Sequence, residues 1–304
     1  MRRFLRSSQA EVTVSPSVVS PRQSIEVRVS TPKPIDNVTS ARIELGYYNF
    51  YRYRWAGRAD AAATAATDAM WLTESVGTTY GTDRDTKEWI GVLESALPTA
   101  TTEFTGGWAK FRIPSWAPPS SSQIARWSCR LVLQRGGRDI DEHAEFTVVT
   151  GPGDAPTDIG QLERVSGSAA SQLDIALSRL VFRAGETIDG EVIVTPTRDL
   201  PNGDVRVNLQ RQRYSHPRTR TPGPGEITDG RTVQLDQRTT LRDGVPVRLP
   251  FQVAVPADAA PTASAVNSSL GWFVQARMYY AGFTSPGAEC VRKPVAVVNA
   301  AGVD

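Results

Sequence analysis

Few residues of this chain are suited to making or breaking covalent bonds. Its 304 residues include two histidines, His143 and His216, and neither stands in a metal-ligand spacing. The Gly-x-Ser-x-Gly elbow, the Gly-x-x-x-x-Gly-Lys-Ser/Thr loop and the Cys-x-x-Cys pair are absent from the sequence. A nucleophile, a base and an orienting group would have to be assembled across the fold from a small set. The expectation is a protein that is not an enzyme and uses no cofactor and no metal. One acidic stretch, Asp139-Ile-Asp-Glu-His-Ala-Glu145, would present Asp139, Asp141, His143 and Glu145 on one face of a strand. Hard cations need several oxygen ligands. However, Arg135 and Arg138 precede these acids, and the Asp-x-Asp-x-Asp-Gly loop of calcium sites is missing. A solvated strand face is therefore the expectation.

Residues suited to recognition are more plentiful. Arg206, Arg211, Arg213, Arg218 and Arg220 lie within fifteen residues that hold no carboxylate, beside Tyr214 and His216. Guanidinium groups pair bidentately with carboxylate or phosphate and stack on aromatic rings. The run passes from a strand pattern into Thr219-Arg-Thr-Pro-Gly-Pro-Gly225, so it is expected at the surface. There it either meets an acidic or phosphorylated partner or guards a hairpin edge with charge. A second cluster is Tyr47-Tyr-Asn-Phe-Tyr-Arg-Tyr-Arg-Trp55. Strand alternation puts Tyr47, Asn49, Tyr51 and Tyr53 on one face and Tyr48, Phe50, Arg52 and Arg54 on the other. One face suits an aromatic core covered by a loop over 56–90; the other has the composition of interface hot spots. The candidate partner-binding residues are Tyr51, Arg52, Tyr53, Arg54 and Trp55, with Arg211, Arg213, Tyr214, Arg218 and Arg220. Trp55, Trp71, Trp89, Trp108 and Trp116 would offer a sugar-stacking platform if exposed.

The elements that must position these clusters are strands. Apolar residues alternate with polar ones at Ile25/Val27/Val29, Ile43/Leu45/Tyr47 and Trp127/Cys129/Leu131/Leu133, and again at Val205/Val207/Leu209 and Trp272/Val274/Ala276/Met278. Half-buried antiparallel strands have this period of two. The order of signals also occurs twice. Thr31-Pro32 matches Thr195-Pro196, Ala41–Leu45 matches Val205–Leu209, Phe111-Arg-Ile-Pro114 matches Val253-Ala-Val-Pro256, and Trp127 matches Trp272. A repeat of about 150 residues is a duplicated domain, far longer than a solenoid period. The expected fold class is all-β, with two tandem immunoglobulin-like, arrestin-like β-sandwich domains. Residues 1–10 form a flexible N-terminus, 11–150 the first sandwich, 151–171 a Gly/Pro/Ser-rich linker, 172–299 the second sandwich and 300–304 a tail. The Ala-rich stretch 59–72 reads equally as a short helix or a loop.

Composition narrows the partners. The net charge of +2 argues against nucleic acid and acidic membranes. No apolar run reaches the ~20 residues that span a bilayer, and the basic start Met1–Arg6 lacks the apolar stretch of an export signal. Cys129 and Cys290, one per half, read as buried free thiols. A cytoplasmic location follows as the expectation.

In the second half, Phe182-Arg-Ala-Gly-Glu-Thr-Ile-Asp-Gly-Glu-Val-Ile-Val194 resembles the opening of arrestin-type domains. Pro246–Phe251, Val255-Pro256 and Trp272-Phe-Val274 resemble later elements of that fold. The first half fits more loosely: Ser20-Pro-Arg-Gln-Ser-Ile25 lacks the glycine, which predicts a different opening turn. Arg135–Glu145 with Phe146-Thr-Val148 looks like the hairpin into a last strand. The whole is similar to bacterial two-domain arrestin-like proteins of the sporulation-control type. That resemblance implies a non-catalytic adaptor or scaffold binding other proteins, with a small homo-oligomer as one possible state. A structural assembly or virion subunit, and a surface carbohydrate-binding module, are the alternatives.

Overall fold

The computed structural model of the protein describes residues 10–55, 81–99, 102–136, 139–281 and 288–300. The stretch 59–72, Trp71 and Arg138 lie outside the described residues. The first half is built of β1 (Glu11–Ser15), β2 (Val18–Val19), β3 (Ser24–Ile35), β4 (Val38–Trp55), β5 (Thr82–Ala96), β6 (Phe104–Arg112), β7 (Ala125–Arg135) and β8 (Ile140–Val148). The second half contains β9 (Glu163–Ser166), β10 (Ser171–Leu177), β11 (Val181–Arg183), β12 (Thr187–Pro196), β13 (Leu200–Ser215), β14 (Glu226–Asp229), β15 (Val233–Leu241), β16 (Val247–Ala254), β17 (Ala263–Ser264), β18 (Ser268–Tyr280) and β19 (Glu289–Val298). Among the described residues the only helical turn is a single 3-10 turn at Pro152–Asp154.

The two halves have one topology. Sheets of order β1-β3-β6 and β2-β8-β7-β4-β5 form the first sandwich. Sheets of order β10-β12-β16 and β11-β19-β18-β13-β14 form the second, with β15 continuing β14 along β13. Even the parallel pairs correspond, β2 on β8 and β11 on β19. Inward-facing Ile25, Val27, Ile43, Leu45 and Leu131 fill the first core, and Val192, Val194, Val205, Val207 and Val274 fill the second. Each Trp-led strand anchors its indole in the same way: Trp127 Nε1 donates to the Pro118 carbonyl and Trp272 Nε1 to that of Ala260.

The opening turns correct one expectation, because they are alike. In the second half Glu186 N donates to the Arg183 carbonyl, and Gly185 takes φ +86° with its N–H on the Pro256 carbonyl. In the first half Gln23 N donates to Ser20, and Arg22 takes φ +70° with its N–H on Ile113. Even the reaching side chain is matched, since Glu186 Oε2 accepts from Arg183 N and Gln23 Oε1 accepts from Ser20 N. Each turn is also held from the same aligned position, Ile113 N donating to the Gln23 carbonyl and Val255 N to that of Glu186. Arg22 therefore holds a left-handed conformation that a glycine adopts without strain. Gly190 serves close approach: a Cβ there would lie 2.7 Å from the Ala176 carbonyl oxygen.

A second correction concerns the loop expected over 56–90. Residues 82–96 instead form β5, paired antiparallel with β4 from Trp55↔Thr82 to Arg42↔Ala96. It is an edge strand whose side chains are mostly exposed, so it carries no apolar alternation, and its charges blunt the open edge. The segment between the halves is not free chain either. β9 pairs with β19, and the carboxylate of Glu289, 1% exposed, accepts from Arg164 Nη2 at 2.6 Å and from Ala170 N at 3.0 Å.

Candidate functional site

Strand β4 outlives its neighbour. It pairs with β7 only as far as Asn49↔Ala125, and its last six residues would leave one edge unpaired. The second sandwich supplies the missing partner. Tyr53 bridges Pro222, Arg54 N donates to the Thr221 carbonyl at 3.0 Å, and Gly223 N donates to the Arg52 carbonyl at 3.2 Å. Arg52 N donates to Ser215 Oγ at 2.9 Å. The aromatic cluster and the basic run, read from sequence as two separate binding hairpins, thus meet in one seam between the sandwiches.

The centre of the seam is Asn49, 0% exposed. Its Nδ2 donates to the Ile124 carbonyl and to Ser268 Oγ, both at 2.8 Å, while its Oδ1 accepts from Asn267 N at 2.7 Å. Ser268 Oγ in turn donates to the Phe50 carbonyl. Tyr51, also buried, donates from its hydroxyl to Glu88, which accepts from Asn267 Nδ2 as well. Burial and this contact with Glu88 push the Tyr51 phenol above its ordinary value. A buried amide with its partners met is specific, because losing any one strands a polar group.

Around this centre lie the charges. Arg52 makes a bidentate pair with Asp85 at 3.2 Å, which raises its pKa above the ordinary arginine value. Arg54 pairs with Asp83 at 3.1 Å. The basic run is not fully exposed, as expected from sequence, but partly folded inward. Arg211 donates to Glu226 at 3.3 Å and to Thr228 at 3.0 Å. The Arg213 side chain is only 14% exposed, and burial lowers its pKa against the opposing influence of Asp85 and Glu226. Strand pairing explains the difference: β14 brings Glu226 beside residues 211 and 213, a carboxylate absent from their local sequence. Tyr214 is exposed, and its hydroxyl donates to Gln212.

What remains outward is a lip of aromatic rings capped by cations. Arg84 stacks over the half-exposed Trp55 at 4.3 Å and Arg220 over Tyr53 at 4.4 Å. Arg218 is exposed, its backbone N–H on Asn267 Oδ1. Among the described residues none of Arg84, Arg218 and Arg220 pairs with a carboxylate. The other aromatic face of β4 is covered by cations too, Lys87 over Tyr48 and Arg126 over Phe50.

The remaining sequence candidates fall elsewhere. On β8, Asp141 and Glu145 pair with Arg130 and Arg126, a solvated face neutralised from β7. No group of three metal-ligating side chains occurs among the described residues. Trp108 and Trp116 are exposed on β6 and in the turn after it, whereas Trp89 lies beneath Arg130. Both thiols are free and buried, and burial pushes that of Cys129 up to about 12. No helix among the described residues is long and apolar enough to cross a membrane. Sequence reasoning missed Asn49, Glu88, Asn267 and Ser268. The one local signal was a carboxamide on the apolar face of the Tyr47–Tyr53 run.

Comparison with known proteins gives a partial likeness in structure. No protein-family profile matches the chain, and no curated protein matches it. Among solved structures, the sporulation control protein Spo0M of Bacillus subtilis is similar at 16% identity and a TM-score of 0.35, over 43% of this chain. The chain spans about half the length of that protein, the matched part being 50% of it.

Proposed function

We propose that this protein is a non-catalytic adaptor of arrestin-like type, which acts inside the cell by binding an acidic or phosphorylated segment of another protein. The observation that carries this reading is the lip of the seam, where Arg84, Arg218 and Arg220 stand beside Trp55 and Tyr53 without carboxylate partners among the described residues. Exposed aromatic and arginine side chains are the types that dominate interface energetics. Free guanidinium groups supply the fork that carboxylate and phosphate require. The seam beneath, tied through Asn49 and the 221–223 bridge, orders these side chains in advance, which lowers the entropic cost of binding. The motif Phe182–Val194 and the duplicated topology support the arrestin-like part of the reading.

The test is capture of partner chains from native extract by the wild type and by a Trp55→Ala, Arg218→Ala, Arg220→Ala triple variant. Chains retained by the wild type and by Trp108→Ala, but lost by the triple variant, would support the lip. Equal retention by all three proteins would remove it. Arg211 and Arg213 are unsuitable for this test, because both are tied into the fold by Glu226.

A further inference from the structure

The second sandwich has an opening where the first is filled. In the first, Tyr47 stands opposite Trp127 in register and packs on it, ring centroids 4.9 Å apart, itself 1% exposed. The equivalent pair in the second is Arg211 opposite Trp272. Arg211 turns to Glu226 and Thr228 and leaves the space beside Trp272 empty. There lies a cavity of about 840 Å³, bordered by Leu209, Val233, Val253, Ala259 and Ala260. The strand that should close it is broken, since β14 ends at Asp229 and β15 begins at Val233. Irregular breaks of this kind are common beside functional sites. Ser122 and Gln123 of the first sandwich form part of its wall.

We propose that this cavity is a binding site for a small amphipathic organic anion, an apolar body with a carboxylate or similar head. Its volume falls within the roughly 300–1,000 Å³ of small-molecule sites, which combine apolar walls with few polar groups. The charged groups on the wall are Arg211, Arg231 and one carboxylate, Asp258. Arg211 is held by Glu226, whereas Arg231 has no ion-pair partner among the described residues. On the wall Arg211 Nε is a buried donor, and Gln123 Oε1 a buried acceptor, without a hydrogen-bond partner among the described residues. Such atoms are rare in folded proteins and call for an explanation. A head group at the mouth would meet Arg231 first, with the apolar body against Trp272. The site is independent of the adaptor reading, because none of the lip residues lines it.

The test is calorimetric titration of the full chain with decanoate, decanol and decyltrimethylammonium. The expected result is saturable binding of one decanoate, at least tenfold tighter than the decyltrimethylammonium cation. Arg231→Glu should weaken decanoate at least tenfold and leave decanol unchanged. Thr232→Trp, an exposed wall position, should abolish binding of both; if it does not fold, Ala254→Trp on β16 is read in its place. Absence of saturable decanoate binding, equal binding of the cation, or unchanged affinity in a folded wall variant would overturn the proposal.

Discussion

Two equivalent positions, Tyr47 and Arg211, show how one scaffold was put to two uses. Each sits on the long central strand of its sandwich, opposite the tryptophan that leads the neighbouring strand. Tyr47 fills its site and stabilises a closed core. Arg211 vacates its site, forms an ion pair at the surface and leaves a cavity. Two residues on, Asn49 and Arg213 also correspond in register. Asn49 has its polar atoms bonded, whereas Arg213 keeps a buried Nε without a partner. The first copy thus supplies the well-satisfied half of the seam and the second the polar, incompletely filled half. Equal topology does not fix equal function, because function follows side chains grafted on a shared frame.

The contrast is broken most severely by exchange at the first pair. Tyr47→Arg should cost about 4 kcal/mol or more in denaturant unfolding, since it removes a buried aromatic and buries a charge. The reverse change, Arg211→Tyr, should stabilise by about 1 kcal/mol through the new aromatic pair with Trp272. A loss of comparable size from both exchanges would show that the second site is not open. Next comes Asn49→Ala, which strands the Asn267 N–H, whereas the Ile124 carbonyl keeps the Phe50 N–H. At about 1–3 kcal/mol for a buried unsatisfied group, a loss of about 2 kcal/mol is expected.

Smaller effects sharpen the comparison of the turns. Gly185→Ala forces a side chain into the left-handed region at φ +86° and should cost about 1–2 kcal/mol. Arg22→Gly at the matching turn should gain up to about 1 kcal/mol, less any contribution of its exposed pair with Asp154. Matching shifts of opposite sign in thermal unfolding would confirm that the turns are equivalent. The smallest effect concerns the thiols. Burial raises the pKa of both Cys129 and Cys290, so the native state favours the neutral forms. That preference is fully present below the unfolded thiol value near 9 and, for Cys129, is lost as pH rises toward about 12. Iodoacetamide at pH 8 should therefore label neither thiol until the chain unfolds; rapid labelling of Cys129 in the native protein would contradict its burial.

Much of this architecture was legible in the sequence, because alternation reports a half-buried sheet residue by residue. The segments 41–45 and 205–209 fall in β4 and β13, and Trp127 and Trp272 each lead their core strands in the same way. Legibility failed where position depended on distant chain. β5 is an exposed edge rich in Asp, Arg, Lys and Glu, so nothing local distinguished it from a loop. The turn at Ser20–Gln23 lacked its glycine, and only the hydrogen bond to Ile113 shows that Arg22 has taken the glycine's place. The seam was the largest omission. Asn49, Glu88 and Ser268 become one network only when the end of β4 reaches the second sandwich, a contact between residues about two hundred positions apart. The run 206–220 looked free of carboxylates because Glu226 reaches it across the sheet, not along the chain.

Joined by the polar seam, the two copies of one sandwich should unfold as a single unit that presents the lip. Differential scanning calorimetry of the wild type beside Asn49→Ala tests it most directly. The expected result is one transition for the wild type, with equal calorimetric and van't Hoff enthalpies, and two separable transitions once Asn49 is removed. Two independent transitions in the wild type, unaltered by Asn49→Ala, would contradict it.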